Sequence, residues 1–456
     1  MHGTMLAVDG GSLALSAAAL MRIVSVAIGQ PPIRVLRHIL GQYDLAMFFA
    51  AFLLASTLST PIPLDAARRA FDDARIASEE DGGRLWGKAL YGPMLLVDPV
   101  TRYAVANVPD AAGVLKAEGP LFVGTLPPSV VIANTATTWN GVHWTMMMWG
   151  SIAERSVPRR RLMLHECFHR IQDEIGFPAG AGDNAHLDSL DGRFWFLLEL
   201  RALAVALRSD DRTQAVADAL AFRAKRRTLF PGAATSERSL ENNEGLAEYT
   251  GVVLRGTGDE ETRLSAARRL DAIDRGSSFV RSFAYSSGPA YGLLLDAANP
   301  EWRHSFKIGS DLGDTLRKTL KVLPAADPDV RAAAYAGVVL RAEEEKRDRA
   351  QRERVAKFRA LLVDGPTLEI PMGGAQFGFD PYTVVPLGDA GTGYPSLDVT
   401  GPWGRITTTA GARIDAAYTK LVFSVTDRAN LTLNEGWSLQ RGGREGDLVL
   451  ARSANR

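Results

Sequence analysis

The sequence predicts an α+β chain with a β-rich N-terminal part, a mainly helical part after it and a small all-β domain at the C-terminus. Three observations predict this. Short apolar runs with strand-like alternation fill the stretch from about Arg84 to Trp149. From about Arg159 to Leu362 the apolar residues recur at helical spacing instead. After Gly365, Gly/Pro turns separate short alternating runs once more.

The elements follow in order. LLVDPVTRYAVANV reads as two strands around a DPVT turn, and PLFVG, SVVIANTATTWN and HWTMMMWGSI are further β-rich runs. RRRLMLHECFHRIQDEI is a helix led in by Ser156, Val157 and Pro158. GRFWFLLELRALAVALRS, DRTQAVADALAFRAKRRTLF, SLENNEGLAEYTGVVLRG and DEETRLSAARRLDAI are helices with acidic or Ser residues near their starts, and FAYSSGPAYGLLLDAA is another. Residues 327–362 read as one long helix whose middle, AEEEKRDRAQRER, is nearly all charged, as in a solvated face or a helix spanning two domains. The segment 366–456 reads as a β-sandwich. This divides the chain into an N-terminal extension (1–66), a central domain (67–326), the charged helix (327–365) and an accessory β domain (366–456).

Composition excludes some classes of function. Lys plus Arg and Asp plus Glu are both 52, so no net charge favours nucleic acid. Cys167 is the only cysteine, which rules out an intrachain disulfide and a Cys-based zinc cluster; inside a helix it reads as a small apolar filler. LAMFFAAFLLASTLSTPIPL (45–64) carries no charge, and its dense part has the length of a signal-peptide core. Export to an extracytoplasmic location is expected, with processing between Ala55 and Ala67; a membrane anchor through 45–64 is the alternative.

The chemistry concentrates in RLMLHECFHRIQDEIGF (161–177). His165 and His169, four apart, share one helix face and can reach one ion. Glu166 is turned by about 100° from His165 and stands where a base for a metal-activated water belongs. Downstream, ENNEGLAEYTG (241–251) offers Glu244 as a third ligand, with Glu248 one turn on.

HECFH followed by NNEGLAEY resembles the gluzincin metallopeptidases, the thermolysin-like and aminopeptidase-like group, over the stretch from the β-rich run near Trp144 to Tyr285. The resemblance implies a zincin-like catalytic region in which one Zn2+ is held by His165, His169 and Glu244. Glu166 is then general base and proton shuttle, and Asn243 and Glu248 hold the ligand histidines. It further implies that Tyr285, in YSSG, donates to the oxyanion, with Tyr291 as the other candidate. The strand before the motif helix would be the sheet edge that receives an extended peptide, with Met146 to Met148 and Trp149 lining the cleft or filling a strand core.

The chain also departs from that pattern. His169 and Glu244 are separated by 74 residues holding extra helices, which admits Glu199 in LLELRAL as a rival ligand or, on the plainer reading, a buried helix glutamate. His186 stands likewise between ligand and loop residue. The G-x-M-x-N stretch with which aminopeptidases hold a free N-terminus is not visible, which weakens an exopeptidase assignment. The expected activity is zinc-dependent hydrolysis of peptide bonds in a peptide or protein substrate. The alternatives are hydrolysis of a non-peptide amide or ester, and a metal-stabilised binding protein without catalysis.

Overall fold

The computed structural model describes residues 62–453, apart from 181, 274, 276, 277 and 379–382. The chain is α+β with a C-terminal β region. The segment 45–64 falls outside the described residues except for its last three, and no helix among the described residues is long and apolar enough to cross a membrane.

The folded body begins earlier than the sequence suggested. Helix α1 (Leu64–Asp81) buries Ala67, Ala70, Phe71, Ala74 and Ala77, a stripe of mostly small residues at helical spacing. Ile62 is itself only 2% exposed, and the Pro63 carbonyl accepts from the amides of Ala66 and Ala67. Packed structure therefore begins before residue 67.

Six strands form the N-terminal sheet: β1 (Met94–Val97), β2 (Tyr103–Ala106), β3 (Lys116–Glu118), β4 (Leu121–Thr125), β5 (Thr135–Trp139) and β6 (Val142–Met148), in the order β3-β4-β2-β1-β6-β5. At the DPVT turn the Asp98 carboxylate accepts from the amides of Val100 and Thr101. β1 and β6 run parallel, and the other pairs are antiparallel. Alternation sends Met94, Leu96, Val105 and Met147 into the main core, while Leu95, Val97, Trp144 and Met146 fill a second core on the other face. β6 is thus an interior strand, and the edge is β5. The expectation that HWTMMMWGSI forms the edge is corrected, since Met146 and Met147 are fully buried core residues.

The motif helix α2 (Ser156–Ile171) packs on β5, β6 and α1. α3 (Leu190–Arg208), α4 (Thr213–Leu229) and α5 (Ala233–Leu240) fill the long interval before the second motif. A π-helical turn (Glu241–Gly245) leads into α6 (Leu246–Val253), which lies against α2. α7 (Asp259–Asp271), α8 (Ala284–Ala298) and α9 (Leu312–Leu320) complete the helical part.

The long charged helix is broken. A turn over Pro328–Arg331 and a tight turn over Ala332–Tyr335 end at Ala336 (φ 53°), and α10 (Gly337–Arg359) starts there. A Cβ at position 337 would lie 2.7 Å from the Ala332 carbonyl oxygen, so the bend needs glycine. α10 is packed at both ends. At one end Leu340 is buried in the helical core and Glu344 takes the Arg193 guanidinium, while Phe358 packs with Val385 and Leu387 of the β region.

Among the described residues that region holds eleven strands, β7 (Thr367–Pro371), β8 (Gln376–Gly378), β9 (Val385–Pro386), β10 (Thr392–Tyr394), β11 (Leu397–Gly401), β12 (Gly404–Thr408), β13 (Ala412–Ile414), β14 (Lys420–Ser424), β15 (Leu431–Leu433), β16 (Trp437–Arg441) and β17 (Leu448–Arg452), in two sheets ordered β16-β17-β7-β14-β13-β10-β9 and β15-β12-β11-β8. Leu368, Ile370 and Phe423 from one sheet meet Leu397, Val399 and Ile406 from the other around the buried Trp403.

Candidate metal centre

α2 divides its faces by chemistry. Met163, Leu164, Cys167, Phe168 and Ile171 go into the core, and burial pushes the Cys167 thiol up to about 11, leaving it inert. Pro158, Arg161, Leu162, His165, Glu166 and His169 line the cleft face.

Three donor atoms converge there. His165 Nε2 lies 3.1 Å from His169 Nε2, and Glu244 Oε2 lies 3.5 Å and 3.4 Å from those two nitrogens. Zinc at ~2.0–2.2 Å from each of three tetrahedral donors holds them roughly 3.3–3.6 Å apart, so the triangle has the right size. The ring tautomers agree. His165 Nδ1 faces Glu248 Oε2 at 3.2 Å and His169 Nδ1 faces Gln172 Oε1 at 2.8 Å; both partners are acceptors, so both Nδ1 atoms carry the proton. Two Nε2 lone pairs and a carboxylate oxygen then point at one spot, an arrangement that a cation would relieve. Without a metal a proton serves: burial opposes charge on His165, but Glu244 and Glu248 outweigh it and raise its pKa to about 9. The residues present therefore fit a metal ion.

Glu166 stands outside the triangle. Its donor atom lies within 4.8 Å of those of both histidines, yet its Oε2 is buried with no hydrogen-bond partner among the described residues. Burial holds its pKa above the ordinary glutamate value despite the two imidazoles. A buried carboxylate with an open oxygen beside a cation site is suited to taking a proton.

The remaining candidates separate cleanly. Tyr285 stacks on the His165 ring at 5.6 Å and donates its hydroxyl to Glu244 Oε2 at 2.6 Å. Glu244 is held well below its ordinary pKa: burial raises it, and the hydrogen bonds from His165, His169 and Tyr285 overcome that. Asn243 was expected to hold a histidine; instead its Nδ2 donates to Glu244 Oε1 at 3.3 Å, and Gln172 performs that role for His169. Glu199, His186 and Tyr291 lie elsewhere. Glu199 accepts from Arg223, Arg226 and the Tyr291 hydroxyl, and His186 pairs with Glu237 at 2.8 Å.

Two glycine crossings place these groups. Gly251 lets α6 approach α2, since a Cβ there would lie 2.2 Å from the Arg161 carbonyl oxygen. Gly245 serves a different neighbour: it meets Gly288 of α8, where an added Cβ would lie 2.4 Å from the Gly245 Cα. That second contact seats Tyr285 over Glu244.

The cleft has two lobes that share Asn134, His165, Glu166 and Tyr285. One, about 300 Å3, is lined by Thr135, Ala136 and His143 and by residues beyond His169. The other, about 350 Å3, is lined by Pro158, Arg161, Leu162 and Glu248. Sequence reasoning missed Gln172 and Arg161. Both sit within one turn of a motif histidine, but that spacing alone marks nothing. Comparison with family models, curated proteins and solved structures gives no match.

Proposed function

We propose that this chain is a zinc-dependent peptidase of gluzincin type with a zincin-like catalytic region. The observation that carries this reading is the triangle of His165 Nε2, His169 Nε2 and Glu244 Oε2, with edges of 3.1–3.5 Å, beside a buried carboxylate that takes no part in it. A bound zinc would supply Lewis acidity, polarising the scissile carbonyl and acidifying the attacking water. Glu166 accepts that water's proton and returns it to the leaving amine. Glu248 and Gln172 fix the two imidazoles through their Nδ1–H groups. Tyr285 lines both lobes, and its hydroxyl, held on Glu244 Oε2 at 2.6 Å, is the donor this reading assigns to the oxyanion. β5, which among the described residues pairs with β6 alone, presents an edge beside the cleft on which an extended peptide can add as a strand.

The test separates binding from catalysis. Glu166→Gln should hold about one zinc per chain and fold normally while losing hydrolysis, because it removes a base and not a ligand. Metal analysis and a peptide digest decide it; hydrolysis at the wild-type rate in Glu166→Gln would end the mechanism. An extracytoplasmic setting belongs to the same reading. Since Ile62 is packed in the body, the mature N-terminus should lie upstream of it, between Ala55 and Pro61. N-terminal sequencing of material from the producing cell checks this, and an intact Met1 there would refute export.

A further inference from the structure

We propose that the lobe lined by Pro158, Arg161 and Leu162 is a subsite for a carboxylate carried by the substrate, directly beside the bond that is cut. The proposal rests on the peptidase reading above and adds a substrate preference to it.

The two lobes differ in charge. The lining beyond His169 includes Asp173 and Glu244 and no lysine or arginine. The opposite lobe has Arg161 in its wall. Glu248 is the one carboxylate that answers this arginine, and it is heavily shared. Its Oε1 accepts from Arg161 Nε at 2.7 Å, from Arg161 Nη2 and from Arg269 Nη1 at 3.0 Å, while its Oε2 faces His165. A third guanidinium stands near. Arg255 is buried beside Arg161 and donates to Thr257 Oγ1, Ser265 Oγ and the Glu261 carbonyl, with the Glu261 carboxylate as its nearby anion. Two guanidinium groups, Arg161 and Arg269, thus share the one Glu248 carboxylate, which also faces His165.

Arg161 is placed to use that charge. Its side chain is 30% exposed, enough to meet a ligand and too little to be fully screened by water. Its Nη1 has no partner among the described residues, whereas Nε and Nη2 are fixed by Glu248. The guanidinium is thus already oriented and loses little freedom on gaining a second carboxylate. Pro158 and Leu162 lie on the same helix face and give the lobe an apolar floor for the methylenes of an acidic residue. Because both lobes share His165, Glu166 and Tyr285, a residue seated here is adjacent to the scissile bond. A Glu or Asp side chain and a free C-terminal carboxylate offer the same chemistry, so the experiment must tell them apart.

Binding is measured with zinc-loaded Glu166→Gln protein, which should not consume the peptides. Blocked peptides differing only in Glu against Gln beside the scissile position form one arm, and neutral peptides with a free or amidated C-terminus form the other. The acidic member of one arm should bind about tenfold tighter at low salt, the scale of one charge-assisted hydrogen bond, and lose that advantage at high salt. The arm showing the difference identifies the source of the carboxylate. In the Arg161→Gln, Glu166→Gln double variant the ratio within each pair should fall to about one. The ratio is read within one preparation, so altered zinc content does not affect it. Equal binding of both members in both arms overturns the subsite. Selective binding without cleavage by the wild-type protein leaves the subsite standing and removes the peptidase reading instead.

Discussion

Glu244 and Glu199 are both helical glutamates downstream of the HExxH helix, and their surroundings give them opposite properties. Glu244 faces the cleft with its Oε2 3.4 Å and 3.5 Å from two imidazole nitrogens. Glu199 is fully buried: Oε1 accepts from Arg223 at 3.1 Å and Tyr291 at 2.7 Å, and Oε2 accepts from Arg226 at 2.5 Å. Both of its oxygens are committed to cations and a phenol, so nothing is left for a metal. Glu244→Ala should therefore abolish zinc binding and change stability little. Glu199→Ala should keep zinc in the folded protein but cost about 3–5 kcal/mol, since it strands buried guanidinium charge. Zinc content and urea unfolding of the two variants check this; a zinc-free Glu199→Ala beside a zinc-loaded Glu244→Ala would reverse the assignment.

At the scale of elements, the site depends on how closely helices cross. The π-helical turn over Glu241–Gly245 interrupts the helical repeat just where Glu244 must face the cleft, and Gly245 inside it touches Gly288. Gly288→Ala would place a Cβ 2.4 Å from the Gly245 Cα, so α6 and α8 must separate. The expected cost is about 1–3 kcal/mol of stability, the range for overpacking. Zinc affinity should fall with it, because the Tyr285–Glu244 hydrogen bond spans that crossing; denaturant titration and a zinc competition assay measure the two effects. The motif residues were legible in the sequence because i, i+4 spacing is a local property. The helical periodicity located α2 to α4 and α6 to α8 but not the short α5, and the Gly/Pro-punctuated alternating runs located the C-terminal β region. What escaped was set by distant partners. Pairing order made β5 the edge in place of β6. The small-residue stripe of α1 reads weakly beside the apolar run before it. The break at Ala336 is supported by tertiary contact, with Arg201 donating to the Tyr335 carbonyl at 2.6 Å. Gly245 is marked by the sequence only as a small residue beside Glu244; the fold shows that what it packs against is Gly288 of α8.

Over the whole molecule, charge is distributed unequally between the two cores. The helical body buries a connected set of ions: Arg223, Arg226 and Arg227 with Glu199, Glu237, Glu241 and Asp311. Burial alone would raise the Glu237 and Asp311 carboxyls, but Arg226 on Glu237 and Arg223 and Arg227 on Asp311 outweigh it and hold both well below their ordinary values of 4.5 and 3.8. The β region differs. Its buried carboxylate, Asp427, accepts a hydrogen bond from Thr408 and burial shifts its pKa upward, while the lowered carboxyls there, Asp398, Asp415 and Asp447, lie nearer the surface, where water screens their partners. These opposite shifts give opposite linkage. A carboxyl whose folded pKa is depressed adds stability above its unfolded pKa and loses that contribution as pH falls toward the folded value. Asp427, raised on folding, works against stability at neutral pH and ceases to do so once protonated. Acid should therefore attack the helical body first. On lowering the pH from 7 through 4 toward 3, calorimetry of the full chain should show the transition of the helical body moving down steeply while that of the β region moves less. Limited proteolysis at low pH should cut within α3 to α5 before the strands after Thr367. Equal displacement of both parts, or earlier loss of the β region, would show that the buried ion network does not set the acid limit of this fold.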